Sequence, residues 1–294
     1  MPIWIKEPRN ISVFRALVVA AFALVAIDAC RAQVFYSVLS PEGRQNWLLG
    51  TIHSEDDRVL DFPPVLEQAL EQADTIALEL LPDQDMLEQL AAAMRLPRGQ
   101  RLSDRLDDAL YRRVVSALRD YGMARDSVDR LQPWAAALTL AQPPVETGQF
   151  MDLVLARQAV EHGAEPVALE AMDEQLAFFT GMGEQAHIAL LESAVADHEH
   201  GREDFEALVA AYVDADLEQL RRLAECQLAH LSDDIKSRFR EQGIVQRNDA
   251  MARRMQPLLD RGATLVAVGA LHLPGEKGLI ARLREQGNQV EAIY

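Results

Sequence analysis

The tetrad Gly-x-x-His occurs twice in the chain, as Gly50-Thr51-Ile52-His53 and as Gly269-Ala270-Leu271-His272, each time directly behind a short β-forming run. Before the first copy, residues 34–39 and 46–49 are apolar runs separated by Ser40-Pro41-Glu42-Gly43, which predicts a β-hairpin. After it, Pro63-Pro64 opens a helix in which Val65, Leu66, Ala69, Leu70 and Ala73 recur at helical spacing, and residues 75–80 read as a buried strand. Around the second copy, residues 264–268 read as a strand. Leu279, Ile280 and Leu283 mark a helix that stops at Gly287, and residues 289–294 form a last strand. Both units have the size of a βαβ crossover, the connection that parallel strands require. The expectation is an α/β fold with a mixed, largely parallel sheet built from two βαβ units. The glycine heading each tetrad is expected to permit a sharp turn at positive φ.

Between the units lies a long helical stretch, about residues 83–261, read as an insertion placed to cover the sheet's edge as a lid. Leu106, Leu110, Val114, Leu118 and Tyr121 form one apolar stripe ended by Gly122; Met151, Val154, Leu155 and Ala159 form another ended by Gly163. Residues 166–169 read as one more buried strand with Glu170 at its end. Helices are expected near 173–180, 184–199, 203–213, 216–231 and 246–261. Trp134, behind Pro133, reads as a core anchor at a helix start. With 49% hydrophobic residues and no low-complexity linker, residues 33–294 are expected to form one domain around a substantial core.

The first 32 residues have a different character. Lys6, Arg9 and Arg15 precede an apolar run over 16–27, too short to cross a bilayer comfortably, and small residues follow at Ala29 and Ala32. That is the layout of a secretory signal peptide over 1–32, which places the mature chain in the periplasm or otherwise outside the cytoplasm. Ile27-Asp28-Ala29-Cys30 offers an alternative, an imperfect lipoprotein cleavage box. Used that way, it makes a lipidated Cys30 the chain's one link to a membrane. Cys226, among Leu223, Ala224 and Leu228, reads as a buried helix residue, and a lone cysteine staples nothing. The net charge of −17 argues against nucleic-acid partners, whose backbones need clustered Lys and Arg.

In open α/β sheets, ligands bind beyond the carboxyl ends of the strands. Both tetrads sit there, and so do Glu79 in Ala77-Leu78-Glu79 and Glu170 in Ala168-Leu169-Glu170. Two histidines and two glutamates would thus meet at one edge. Imidazole and carboxylate suit divalent transition metals, and a carboxylate that is not a ligand can act as general base. Taken singly, Glu79 and Glu170 also read as helix caps or solvated strand ends. Asp197-His198-Glu199-His200 is a rival metal-like cluster, but it lies at the polar end of a predicted helix and reads as a solvated acidic surface. His162, His187 and His230 look isolated. The chain has no P-loop, no Gly-x-Gly-x-x-Gly, no nucleophile elbow and no His-Glu-x-x-His.

With these residues in view, the chain resembles the TraB/GumN/Tiki family. The resemblance runs through Asn46–His53, the Pro-led helix, Ala77-Leu78-Glu79-Leu80, Pro133-Trp134 and Val167–Gln175. It continues through Arg247-Asn248, Met251-Ala252 and Val268–Leu273 with Gly275 and Gly278. It implies a fold similar to the erythromycin-esterase and ChaN-like group. For Tiki-like members it implies metal-dependent proteolysis of extracellular peptides. Carried over by position, His53 and His272 match the metal-binding histidines, Glu79 the first glutamate, and Glu170 the second. Arg247 and Asn248 match an Arg-Asn pair whose expected role is to polarise substrate or transition state. Two positions depart from the pattern: Ser54-Glu55-Asp56-Asp57 is unusually acidic, and Gln246 stands where an acidic residue is common.

These readings together describe an exported metal-dependent hydrolase, a peptidase acting on peptides or proteins of the cell envelope. His53, His272 and Glu79 would hold Mn, Co or Zn, with Glu79, Glu170, Arg247 and Asn248 as catalytic residues. The alternative is a non-catalytic envelope protein that binds peptides or a partner, its two turns purely structural.

Overall fold

The computed structural model describes residues 33–81, 84–198 and 201–294. The expected leader over 1–32, with Cys30, lies outside the described residues, as do Glu199 and His200 of the acidic-histidine cluster.

Six strands form one sheet: β1 (Phe35–Leu39), β2 (Gln45–Thr51), β3 (Thr75–Leu78), β4 (Glu165–Ala168), β5 (Thr264–Gly269) and β6 (Gln289–Ala292). The order across the sheet is β4-β3-β5-β2-β1-β6. β1 and β2 form the expected hairpin, Phe35 facing Leu49 and Leu39 facing Gln45. β2, β5, β3 and β4 run parallel, while β1 lies antiparallel to both β2 and β6. The two βαβ units therefore interleave: β5, from the far end of the chain, lies between β2 and β3.

The helices are α1 (Asp57–Leu60), α2 (Pro64–Gln72), α3 (Gln84–Ala93), α4 (Asp108–Arg119), α5 (Arg125–Val128), α6 (Pro133–Leu140) and α7 (Met151–Glu161). They continue with α8 (Met172–Thr180), α9 (Glu184–Asp197), α10 (Gly201–Val213), α11 (Leu217–Gln227) and α12 (Asp233–Arg238). A π-helical segment, Phe239–Val245, then leads without a break into α13 (Gln246–Arg261), and α14 (Leu279–Glu285) is the last. Among the described residues no helix is long and apolar enough to cross a membrane.

Crossovers between parallel strands are right-handed, so their direction fixes the face on which each helix packs. The path from β2 to β3 runs one way across the sheet and the path from β5 to β6 runs the other, which puts α2 and α14 on opposite faces. The packing agrees: α2 meets α7, and α13 meets α14. The central strands are buried on both faces. Leu48, Leu49, Ile76, Ala77, Leu265, Ala267 and Val268 have no exposed surface, which explains their unbroken apolar runs. A second cluster, around Leu102, Val114, Leu118, Val128, Ala136 and Leu191, holds α4, α6 and α9 together. Trp134 is buried and stacks on Phe179 with ring centroids 5.1 Å apart, the anchor its position behind Pro133 predicted.

Three local expectations are corrected. β4 is mostly exposed, because it is the edge strand, paired only with β3. Cys226 is exposed: the apolar neighbours that suggested burial, Leu223, Ala224 and Leu228, are themselves only half-buried, and α11 buries Leu217 and Leu220 near its start instead. Neither tetrad glycine has positive φ; Gly269 has φ −50°. Their requirement is space. A Cβ on Gly50 would lie 2.7 Å from Leu273 Cδ1 and 2.9 Å from Ala270 Cα, so the two tetrads touch.

Candidate metal centre at the carboxyl edge of the sheet

Adjacent parallel strands whose following helices leave to opposite faces open a crevice at their carboxyl ends. β2 and β5 are such a pair, with Thr51 aligned to Gly269. His53 lies two residues past β2 and His272 three past β5, so the two histidines flank the crevice from either side.

His272 is buried, 4% exposed, and oriented by Asn248. Asn248 Nδ2 donates to the carbonyls of His272 and Lys277 at 3.2 and 2.9 Å. That leaves Asn248 Oδ1 as an acceptor, and it lies 2.6 Å from His272 Nδ1. The Nδ1 proton is thereby fixed and Nε2 carries the lone pair. Burial pushes the imidazole below its ordinary pKa against the pull of Glu79, which keeps it neutral. Nε2 faces Glu79 Oε1 across 3.7 Å, beyond hydrogen-bond reach.

Glu79 and Glu170 share one guanidinium. Arg247 Nη2 pairs with Oε2 of both, and Arg247 Nε donates to both oxygens of Glu170 at 3.0 Å. Gln175 Nε2 bridges the same carboxylates at 3.3 and 3.0 Å. The remaining oxygen of Glu79, Oε1, accepts the Gly269 N–H at 2.7 Å. Burial raises the Glu79 carboxyl, but His272, which is protonated at the low pH where a carboxylate titrates, Arg247 and the Gly269 N–H outweigh it and hold the group below the usual carboxylate range. Between the same partners Arg247 is held above its ordinary value although burial opposes it. Neither glutamate is a cap or a solvated strand end: their side chains keep 24% and 3% exposure. Arg247 and Asn248 are consecutive residues on α13, about 100° apart around its axis, so one helical turn serves the carboxylates and His272 together.

His53 is exposed on one side and lies flat on Phe150, ring centroids 3.9 Å apart and 8° from parallel. Its ring nitrogens have no hydrogen-bond partner among the described residues. Burial beneath Phe150 lowers its pKa and Glu55 opposes this. The first turn of α7 holds the whole segment. The Met151 N–H donates to the Ser54 carbonyl at 3.1 Å, Thr51 Oγ1 donates to Asp152 Oδ1 at 2.7 Å, and from α10 the Tyr212 hydroxyl donates to the Gly50 carbonyl at 2.7 Å. The acidic run after His53 is taken up structurally. Glu55 accepts the backbone N–H groups of Glu146, Thr147 and Gly148 together with the Thr147 hydroxyl, and Asp56 caps α1.

Glu79, Glu170, Arg247, Asn248 and His272 thus form one connected network, with His53 across the strand pair from it. Among the described residues no group of three or more His, Cys, Asp or Glu is gathered as a metal-holding set. In the rival cluster, His198 Nε2 lies 3.1 Å from Asp120 Oδ2. Phe150, Asp152 and Tyr212 carry no sequence signal, because they act through contacts about 100 to 160 residues away.

The family model for TraB/PrgY/gumN matches residues 35–292, so it spans every strand and every residue of this network. The chain belongs to the TraB/PrgY/gumN family. Two relatives of this family member are Metalloprotease TIKI2 of Danio rerio, 27% identical over 84% of the chain, and Metalloprotease TIKI1 of the same fish, 26% identical over 84%. Metalloprotease TIKI2 of Xenopus tropicalis is 27% identical over 83%. The alignments cover 58%, 60% and 57% of those proteins, so the chain spans about three-fifths of their length. No solved structure matches.

Proposed function

We propose that this family member is a metal-dependent peptidase, exported to the cell envelope, in which His272, Glu79 and His53 hold a divalent transition ion of the Mn, Co or Zn class. The observation that carries the reading is the pair His272 Nε2 and Glu79 Oε1, a lone pair and a carboxylate facing each other across 3.7 Å with no proton to share. Two carboxylates on one guanidinium leave a net negative site, so the charge suits a cation, and imidazole and carboxylate are donor types that such ions take. The name metalloprotease carried by the relatives points the same way.

A bound metal would supply Lewis acidity and a water of lowered pKa. The chain's own residues do the rest. Asn248 fixes the His272 tautomer. Glu79, ionised at neutral pH, serves either as the third ligand or, unligated, as the base that takes the proton of the attacking water and returns it to the leaving amine. The Arg247 guanidinium faces the negative charge that develops on the carbonyl oxygen. Glu170, with both oxygens engaged by Arg247 and Gln175, anchors that guanidinium. The signal-peptide layout read from the sequence of residues 1–32 supports delivery outside the cytoplasm.

The test is elemental analysis of residues 33–294 purified without chelator, beside His53→Ala and His272→Ala, followed by a peptide-cleavage assay with Mn, Co and Zn. Near-stoichiometric metal that both variants lose, with chelator-sensitive cleavage, is the expected result. Wild-type protein that takes up no metal overturns the reading and returns the chain to the peptide-binding alternative.

A further inference from the structure

Beside the Arg247–Glu170 pair, between α8 and the π-helical segment, lies a cavity of about 290 Å³. Its walls are Ala177 and Phe178 from α8, Gln242 from the π segment, and Gln246 and Ala250 from α13; Glu170, Glu174 and Arg247 complete it. Three features set its chemistry. First, the acidic groups are already matched. Glu170 pairs with Arg247, which it shares with Glu79, and Glu174 pairs with Arg254 and accepts the Ala171 N–H, so each carboxylate on these walls already has a cationic partner. Second, Phe178 is held rigid by edge-to-face contacts with Phe179 and Phe239, ring centroids 4.9 Å away in both cases. It presents a fixed apolar wall. Third, the carboxamides of Gln242 and Gln246, one helical turn apart, have no hydrogen-bond partner among the described residues. A carboxamide carries both a donor and an acceptor, the complement of a peptide group.

The π-helical segment borders this space through Gln242. A π segment carries one more residue per hydrogen-bonded turn than an α-helix, and such segments recur at functional sites. Here it brings Gly243 against Phe178, where even an added Cβ would stay 3.7 Å from the ring. The volume is at the small end for ligand pockets, room for one side chain rather than a whole ligand.

We propose that this cavity is a substrate side-chain subsite, which takes one uncharged residue of an extended peptide next to the scissile bond and whose Gln242 and Gln246 carboxamides bond the peptide backbone. The proposal rests on the peptidase reading for its placement beside the scissile bond. Its binding chemistry stands on the cavity alone. A charged side chain finds no unengaged counter-charge on these walls, whereas an uncharged one covers the ring of Phe178. Gln246 is the selector, as the exposed residue on the rim whose charge can change without disturbing a pair.

The experiment uses two readouts. In metal-free protein, the side-chain amide signals of Gln242 and Gln246 are followed by NMR during titration with the peptides Gly-Gly-Xaa-Gly-Gly, where Xaa is Leu, Asp or Lys. The Leu peptide is expected to shift both signals, and the Asp and Lys peptides to bind several-fold more weakly. In Gln246→Glu the Lys peptide should gain roughly threefold to fivefold, the worth of one exposed ion pair. In parallel, the metal-loaded protein is given a peptide library and its cleavage products are sequenced by mass spectrometry. One position beside the cut should favour uncharged residues, and Gln246→Glu should move that position toward Lys and Arg. Peptides that leave both amide signals unmoved, or a cleavage profile that Gln246→Glu does not alter, overturn the subsite while leaving the peptidase reading intact. Peptide binding with the expected ranking but no hydrolysis under any metal supports the subsite and removes the peptidase reading.

Discussion

Asn248 and His272 are joined twice: the side-chain oxygen of Asn248 lies 2.6 Å from His272 Nδ1, and its amide nitrogen donates to the His272 backbone carbonyl at 3.2 Å. The first bond sets the imidazole tautomer and the second holds the turn that carries it. Asn248→Leu removes both and leaves His272 Nδ1 and the His272 carbonyl buried without partners, at a cost of about 2–4 kcal/mol. Asn248→Asp keeps the acceptor and loses the donors. If His272 binds metal, both substitutions weaken uptake by roughly 10–100-fold, as losses of an orienting partner usually do. Calorimetric titration with Mn or Co checks the affinity, and thermal melts of the metal-free proteins check the stability separately.

Arg247 neutralises Glu79 and Glu170 together. Arg247→Met leaves both carboxylates partly buried without a cation, at about 3 kcal/mol, the low end for a broken buried pair because Arg247 keeps 23% exposure. A fall in Tm of roughly 10 °C is expected at neutral pH. Arg247→Lys offers a point charge where two carboxylates need a fork, and should recover less than half of that loss. Melting curves of the three proteins in one buffer decide it.

Asp152 gives a pH dependence of definite sign. Burial raises its carboxyl from 3.8 to about 6, although the Thr51 hydroxyl pulls the other way. The folded state therefore holds this proton more tightly than the unfolded chain, and ionisation weakens the fold as pH rises through that window. Asp152→Asn, which still accepts from Thr51, is expected to stabilise the protein by on the order of 2 kcal/mol at pH 7.5 and by nothing at pH 3.5. A gain that persists at pH 3.5 would refute the assignment.

Space at the tetrad glycines makes a further prediction. A Cβ at Gly269 would lie 3.2 Å from Glu79 Oε1, the oxygen that accepts its N–H. Gly269→Ala should displace that carboxylate and cost about 1–3 kcal/mol, and Gly50→Ala, pressed against Ala270, at least as much. Denaturant midpoints of the two variants measure this.

The order of elements was legible because each obeys a local rule. The hairpin turn, the proline-led helices at Pro64 and Pro133, and the apolar runs of β3 and β5 all declare themselves within a few residues. The residues at the strand ends were legible for the same reason: a strand that stops at Leu78 or Ala168 puts the next polar residue at the sheet's edge. What stayed hidden depends on contacts distant in sequence. Interleaving of β5 between β2 and β3 follows from no local pattern. The stacking of Phe150 on His53 joins residues nearly 100 apart. The glycines were read for backbone freedom, but their reason is the approach of the two turns, which only tertiary packing creates. Cys226 misled because its apolar neighbours in sequence are themselves only half-buried, near the end of a helix whose buried residues lie at its start.

The central place of β5 fixes the order in which the molecule can form. During synthesis β2 and β3 emerge some 200 residues before residues 264–269 exist, and neither has its inner neighbour until that late strand arrives. Such a topology has high contact order and folds slowly, as a whole rather than piecemeal. The nascent chain stays without its central strand, and with the residues at the sheet's carboxyl edge ungathered, until residue 269 has been made.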